Sequence, residues 1–122
     1  MATENNTGDD LSYITSADLS ALQYHLVKDD GLGGLVSCTA ASDVSVGILQ
    51  NNPASGRDAQ VRPVGISKVV CGAAVAAGDL LTSDSTGRAV TASTHNMVVG
   101  QARTAGAGAG TVISCSLRRS QA

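Results

Sequence analysis

Hydrophobic and polar residues alternate in short stretches along most of the chain. In the clearest stretch, residues 113–118, Ile, Cys and Leu alternate with Ser, Ser and Arg. This period of two is typical of a β-strand with one buried face. Similar runs recur at a spacing of roughly ten residues and are separated by Gly-, Asp- and Asn-rich turns. The pattern predicts an all-β fold of about eight short strands, either a small β-sandwich or a partly open β-barrel.

The segment from residue 16 to residue 28 fits two structures. Leu22, Tyr24 and Leu26 alternate with polar neighbours as in a strand, whereas Leu19, Leu22 and Leu26 would share one face of a helix. The next six residues, 29–34, read Asp-Asp-Gly-Leu-Gly-Gly, which is turn chemistry, and another strand pattern follows at once. A turn between two such runs favours a β-hairpin, and therefore a strand before it.

Three strand-like runs contain a glycine, at Gly47, Gly65 and Gly100. A glycine inside a strand marks a bulge or the close approach of another backbone, so these positions predict a tightly curved sheet. Pro63 lies within the long run 59–71, and because proline cannot donate to a ladder, that strand is predicted to be bulged or at a sheet edge.

The chain divides into an extended N-terminal arm, residues 1–10, and a single β domain, residues 11–122. The arm is polar and acidic and has no apolar anchor, so it is expected to become ordered only against a partner. The domain contains no Phe, no Trp and only two Tyr. Because Ala and Val bury little area each, association between subunits is a way for such a chain to gain buried surface. The N-terminal sequence has no basic and apolar pattern of a signal peptide.

Charge is divided unevenly along the sequence. Residues 1–60 contain eight acidic and two basic residues, a net charge of −6, whereas residues 61–122 contain two acidic and six basic residues, a net charge of +4. The halves either form two solvated faces or meet complementary surfaces on neighbouring molecules. The chain is neither basic nor aromatic enough for nucleic-acid binding, and no apolar stretch is long enough for a membrane span. The candidate contacts with a partner or with another subunit are Glu4, Asp9, Asp10, Arg118 and Arg119.

The three cysteines, Cys38, Cys71 and Cys115, lie inside apolar strand-like runs. An odd number at wide spacing does not form a disulfide framework, and no C-x-x-C motif or histidine pair indicates zinc. They are predicted to be reduced, buried and free of metal, in a protein made in a reducing cytoplasm. No cofactor is predicted.

Candidate catalytic residues are few. His25 and His95 are the only histidines. His25 alternates with apolar residues and is predicted to face solvent or a subunit contact, and His95 is predicted to lie in a turn. A hydrolytic triad that combines either histidine with Asp43 or Asp84 stays open at this point. Asp79 and Asp84, beside glycine turns, are predicted to cap turns, and residues 31–34 to form a hairpin turn rather than a phosphate cradle. The chain is therefore predicted not to be an enzyme.

Four phrases of the sequence resemble a known family when taken together and in order. They are Asp-Leu-Ser-Ala-Leu-Gln-Tyr at 18–24, Gly-Ile-Leu-Gln-Asn-Asn-Pro at 47–53, Val-Gly-Ile-Ser-Lys-Val at 64–69, and the Gly-Asp and Gly-Arg-Ala turns between 72 and 89. The chain is similar, over residues 18–118, to the small capsid decoration or head cement proteins of tailed phages. The resemblance implies binding to the major capsid protein on the outer surface of the virion, often as trimers at local threefold positions, without catalysis. A homotrimer is therefore expected.

Two other functions are weighed against this structural one. A β-rich virion-surface or secreted module that binds host glycans is the alternative, although glycan sites favour exposed aromatic residues and this chain has only two tyrosines. A small β-barrel hydrolase is the third, for which the sequence offers no recognisable motif.

Overall fold

The computed structural model describes residues 10–93 and 96–121, with side chains for residues 10–93 and 96–117. This part of the chain is all β and contains ten strands in two sheets. The first sheet is a closed barrel of five strands in the order β1-β3-β2-β4-β5. Its strands are β1 (Leu11–Thr15), β2 (Leu26–Asp29), β3 (Gly34–Ser37), β4 (Gly47–Leu49) and β5 (Asp58–Arg62).

The second sheet has five strands in the order β6-β10-β9-β7-β8. Its strands are β6 (Gly65–Val70), β7 (Leu80–Ser83), β8 (Ala89–Thr91), β9 (Met97–Ala102) and β10 (Val112–Gln121). The all-β prediction is confirmed. The two predicted architectures, a sandwich and a barrel, are each present in part, because a closed barrel packs against an open sheet. Strand β6 is an edge strand, paired only with β10 within the sheet.

Two hydrophobic cores follow from this arrangement. One fills the barrel, where Leu19, Val27, Leu35, Leu49 and Val61 are all at most 1% exposed. The other joins Leu26 and Ile48 of the barrel, and Cys38 just after β3, to inward-facing residues on the side of the second sheet, among them Cys71 and Cys115. Alternate residues of one strand therefore serve different cores, as in Leu26 and Val27 of β2, which explains why short strands with small side chains suffice.

The segment 16–28 forms neither a helix nor a long strand. Successive turns occupy it, with the Leu22 N–H donating to the Leu19 carbonyl and the His25 N–H to that of Leu22, each at 3.0 Å. Tyr24 has a φ of 67°, so the backbone leaves the extended conformation and the strand begins only at Leu26. The predicted hairpin to the next strand is confirmed: β2 and β3 are antiparallel, with Lys28 opposite Val36.

This turn also corrects the prediction that His25 lies at the surface and faces solvent or a subunit contact. Its side chain is buried, at 9% exposed, because the left-handed residue before it rotates the alternation expected of an extended chain. The Nδ1 atom of His25 lies 3.2 Å from the Gln23 carbonyl oxygen.

The glycines predicted to mark irregular strands lie at close contacts between backbones, and the proline lies where the chain passes from one sheet to the other. A Cβ atom at Gly47 would lie 2.8 Å from the carbonyl carbon of Arg62, and one at Gly100 would lie 2.5 Å from the carbonyl oxygen of Ser116. The predicted close approach of another backbone is therefore confirmed at both. Pro63 lies between β5 and β6, where the chain leaves the barrel and enters the edge of the second sheet.

Candidate interaction surface

The five contact residues predicted from sequence are only partly within the described structure. Asp10 precedes β1, and its Oδ1 accepts a hydrogen bond from Nε of Arg62 at 3.0 Å. Arg118 and Arg119 belong to β10, but their side chains lie outside the described part, as do Glu4 and Asp9 entirely. The structure therefore brings Asp10 to Arg62, a residue that the sequence reasoning did not single out.

A surface groove lies where β6 meets the barrel. Its cavity volume is about 230 Å³, and it is lined by Tyr24, Gln50, Arg62, Ile66, Ser67, Lys68 and Ser114. The Arg62 Nη1 donates to the Ile66 carbonyl at 3.1 Å, which fixes one wall. The Lys68 Nζ lies 5.7 Å from the centre of the Tyr24 ring, within the range of a cation–π contact.

One further cationic position, Arg103, extends this groove across the outer face of the second sheet. Lys68 stands opposite Ser114 in the β6–β10 register, and Arg103 donates its N–H to the Ser114 carbonyl from the other side, at 2.8 Å. Since neighbouring strands are about 4.8 Å apart, Lys68 and Arg103 flank Ser114 in one row. Neither cation forms an ion pair with a carboxylate within residues 10–93 and 96–117.

Apolar side chains lie beside these cations. Ile66 is 55% exposed and Val112 is 49% exposed, on the same two strands as Lys68 and Ser114. We call this surface the cationic face and define it by Arg62, Ile66, Lys68, Arg103 and Ser114. A surface that combines exposed apolar groups with cations, of which Lys68 and Arg103 form no ion pair within the described residues, resembles the apolar centre and polar rim of a protein interface.

The hairpin between β2 and β3 forms the second notable surface, which we call the acidic tip (residues 29–33). The Asp29 Oδ1 accepts the Gly31 N–H at 2.7 Å. The Asp30 Oδ1 accepts the N–H groups of Leu32 and Gly34 at 2.7 and 3.0 Å. Hydrogen bonds from Ser16 and from those backbone groups hold the pKa of Asp30 below its usual value. Both carboxylates order the turn through the N–H groups that they accept. The prediction of a hairpin turn here is confirmed.

Leu32 is the unexpected residue of this tip. Its side chain is 92% exposed, the most exposed large apolar side chain in the described part of the chain. A recess of about 480 Å³ lies beside it, lined by Ile14, Thr15, Ser16, Asp30, Leu32, Gly33 and Gly34. A leucine that projects from a turn of charged residues and glycine is a natural anchor for a partner surface.

The two carboxylates considered for a hydrolytic triad, those of Asp84 and Asp43, stabilise local structure instead. The Asp84 Oδ1 accepts the N–H groups of Thr86 and Arg88, each at 2.9 Å. The Asp43 Oδ2 accepts the Thr39 N–H at 2.7 Å and lies 3.0 Å from the Lys28 Nζ. Burial opposes ionisation of both, but these hydrogen bonds and cations outweigh it and lower the pKa of each carboxyl. Neither is hydrogen-bonded to His25, and His95 lies outside the described residues.

Asp79 caps a turn in the same way, since its Oδ2 accepts the Ala76 N–H at 2.9 Å. The turn-capping predictions for Asp79 and Asp84 are therefore confirmed.

The cysteines are buried, as the sequence predicted. Burial raises the pKa of the Cys38 and Cys115 thiols to about 12 and also raises that of Cys71. Within the described ranges no group of His, Cys, Asp and Glu side chains is arranged to hold a metal ion. The same part of the chain has no helix with the length and apolar character needed to cross a membrane.

Comparison with known proteins identifies the class of protein that carries these surfaces. A family model described as "Phage cement protein" matches residues 5–117, so the molecule is a structural protein of phage particles. The chain belongs to the phage cement protein family. The resemblance seen in the sequence is thereby confirmed, and the protein is a capsid-associated structural component; the glycan-binding alternative gains no support.

A solved structure shares the fold. The crystal structure of the head fiber gp8.5 N base in bacteriophage phi29 is similar, with a TM-score of 0.70 and 21% sequence identity. The match covers 93% of this chain and 96% of that chain, so both sheets belong to the shared architecture. A search of curated proteins gives no match.

Sequence reasoning missed the residues that make up most of these surfaces. Lys68 and Arg103 are far apart in sequence, and only the register of β6, β10 and β9 places them around Ser114. Leu32 had a readable signal, because a large apolar residue between two glycines in a turn has no core to enter.

Proposed function

We propose that this protein is a capsid decoration protein that binds the major capsid protein on the outer surface of the assembled phage head and stabilises the head. Membership of the phage cement protein family is the observation that carries the proposal. The acidic tip and the cationic face support it. Each includes charged groups that form no ion pair within the described residues, and each has an exposed apolar side chain. The buried, protonated cysteines are consistent with synthesis in the reducing cytoplasm of the host.

The proposed mechanism is mechanical. A homotrimer at a local threefold position contacts several capsid subunits at once, so each contact can be weak while the assembled clamp is held strongly. The energy comes from surface buried at each contact and from complementary charges rather than from any chemical step. Where a trimer is bound, several of its contacts must break together before neighbouring capsid subunits can separate.

The N-terminal arm is proposed to add a further capsid contact. The Asp10–Arg62 ion pair anchors the point where the arm leaves the domain. Residues 1–9 carry Glu4 and Asp9 and no cationic side chain, so a partner that supplies positive charge and hydrogen-bond donors suits them. Fixing each arm residue costs about 1–2 kcal/mol of conformational entropy, which only a matched partner surface offsets.

Co-sedimentation with purified heads that lack the protein tests this proposal. The intact chain should saturate the heads and raise the temperature at which they rupture. A variant without residues 2–9 keeps Asp10 and Arg62, so its own thermal unfolding should be nearly unchanged while its occupancy on heads falls. If the remaining contacts are also ionic, the fall should become more visible as salt rises. Failure of the intact chain to sediment with heads would contradict the proposed function. Equal occupancy of both forms at all salt concentrations would remove only the arm from it.

A further inference from the structure

The acidic tip and the cationic face lie at opposite ends of strand β1. At one end, Ile14 and Thr15 line the recess beside the tip, and Ser16 hydrogen-bonds Asp30. At the other end, Asp10 bonds Arg62, which lines the groove beside β6. Five strand residues at about 3.3 Å each separate these ends by roughly 17 Å. The tip is built into the barrel by its turn hydrogen bonds, so it does not reach the groove of its own chain.

The two surfaces are complementary in charge and in shape. The tip has two carboxylates, Asp29 and Asp30, and neither forms an ion pair with a described side chain. The cationic face has Lys68 and Arg103, which also have no such partner. The tip projects one apolar side chain, Leu32, and the cationic face contains an open groove with Ile66 at its wall. The carboxylates of the tip thus match the cations of the face, and the projecting leucine matches the open groove.

We propose that the acidic tip of one copy docks on the cationic face of a second copy, with Leu32 entering the groove beside Ile66. The contact is head to tail, because different surfaces of the two copies meet. Contacts of this kind close into rings when the rotation between copies permits it. This inference rests on the proposed trimer and supplies its interface, with each copy giving its tip to the next. The opposite charges of the two halves of the sequence then act between copies.

Introducing a charge at Leu32 and reversing the charge at Lys68 test the contact. Leu32→Lys places a cation on the tip without removing the turn hydrogen bonds, which Leu32 makes through its backbone. Lys68→Glu places an anion on the facing surface. Each single variant should raise the concentration at which the oligomer dissociates at least about tenfold, because like charges then face each other. The double variant should recover most of the loss. Val44→Lys changes an equally apolar residue, 57% exposed and outside both surfaces, and should leave the oligomer unchanged.

The readouts are mass by light scattering and sedimentation, with circular dichroism to verify folding. A monomeric intact chain overturns the inference, and so do single variants that remain as tightly associated as the intact chain. If those variants instead lose binding to heads while keeping their oligomer, the two surfaces bind the capsid protein, and the inference is again wrong although the proposed function stands. An oligomer that dissociates in the single variants and returns in the double variant supports the inference even if binding to heads fails.

A cross-link provides a second test that does not depend on charge variants folding. Leu32→Cys and Ser114→Cys in one chain should form disulfides between copies under mild oxidation and give a covalent closed oligomer on a denaturing gel. The three native cysteines are buried and face the interior. The pair Val44→Cys and Ser114→Cys is the matched control and should stay uncross-linked. Equal cross-linking of both pairs, or of neither, would contradict the head-to-tail contact.

Discussion

Arg62 holds Asp10 and the backbone of β6 at the same time. Its Nε donates to the Asp10 Oδ1 at 3.0 Å, and its Nη1 donates to the Ile66 carbonyl at 3.1 Å. One guanidinium therefore joins the start of β1, the end of β5 and the edge of the second sheet. A lysine in its place would supply charge but not the planar pair of donors that reaches both acceptors.

Replacing the two partners separately should show which of these contacts matters more. Asp10→Asn removes a partly exposed ion pair and should lower the free energy of unfolding by less than about 1 kcal/mol. Arg62→Ala also releases the Ile66 carbonyl and should cost about 1–2 kcal/mol. Urea denaturation of both variants measures the difference. A larger loss for Asp10→Asn than for Arg62→Ala would contradict this division.

Gly47 should be intolerant of any side chain. Its φ of 151° and the nearby Arg62 carbonyl group leave no room for a Cβ atom. Gly47→Ala should therefore lower the free energy of unfolding by about 2–4 kcal/mol through strain and crowding. Gly108→Ala is the matched control, since nothing lies within 4 Å of its Cβ position, and its effect should stay within about 0.5 kcal/mol. Similar melting temperatures for both variants would contradict this prediction and show that β4 and β5 adjust to the added methyl.

The Asp84 turn should make the fold sensitive to acid. Hydrogen bonds from Thr86 and Arg88 lower the pKa of Asp84 against the opposing effect of burial. A carboxyl with a depressed folded pKa stabilises the fold above its unfolded value, 3.8, and that contribution is lost as pH falls through the folded pKa. Asp84→Ala should cost about 1–3 kcal/mol at pH 7 and reduce the loss of stability in acid. Asp58→Ala is the control, since this exposed side chain makes no hydrogen bond within the part of the chain that the structure describes, and it should change the free energy of unfolding at pH 7 by no more than about 0.5 kcal/mol.

The buried thiols should make the fold sensitive to alkali. Burial raises the pKa of Cys115 to about 12 from an unfolded value of 9.0. Because only the unfolded chain then ionises this thiol, its contribution is complete below pH 9 and is lost as pH rises toward 12. Cys115→Ala should show a shallower decline in unfolding free energy over that range. The native protein should also resist thiol reagents, whereas the denatured chain should titrate as three free thiols without reductant; one free thiol would indicate a disulfide.

The sequence predicted local structure well where a few neighbouring residues decide it. The alternation over 113–118 became β10, and the Asp-Gly turn at 29–34 became the hairpin, because backbone sterics and nearest neighbours fix both. It failed at Tyr24, whose left-handed φ is imposed by tertiary bonds: its N–H donates to the Leu49 carbonyl at 2.7 Å and its carbonyl accepts the Val70 N–H at 3.0 Å. No local pattern contains those partners.

The interaction surfaces were less predictable for the same reason. Uneven charge along the sequence left solvated faces and complementary surfaces as alternatives, and the structure locates charged groups without an ion pair among the described residues on the acidic tip and the cationic face. The row formed by Lys68, Ser114 and Arg103 depends on the register of three strands that are far apart in the chain. Closure of the barrel likewise depends on β1 pairing in parallel with β3 and antiparallel with β5, which strand patterns alone do not specify.

Electron cryo-microscopy of phage heads, assembled with and without this protein, tests its role as a decoration protein most directly. The account predicts additional density on the outer surface at local threefold positions, present only when the protein is supplied and fitted by three copies of the two-sheet domain. Heads without added external density at saturating protein, or density confined to the interior of the shell, would contradict it.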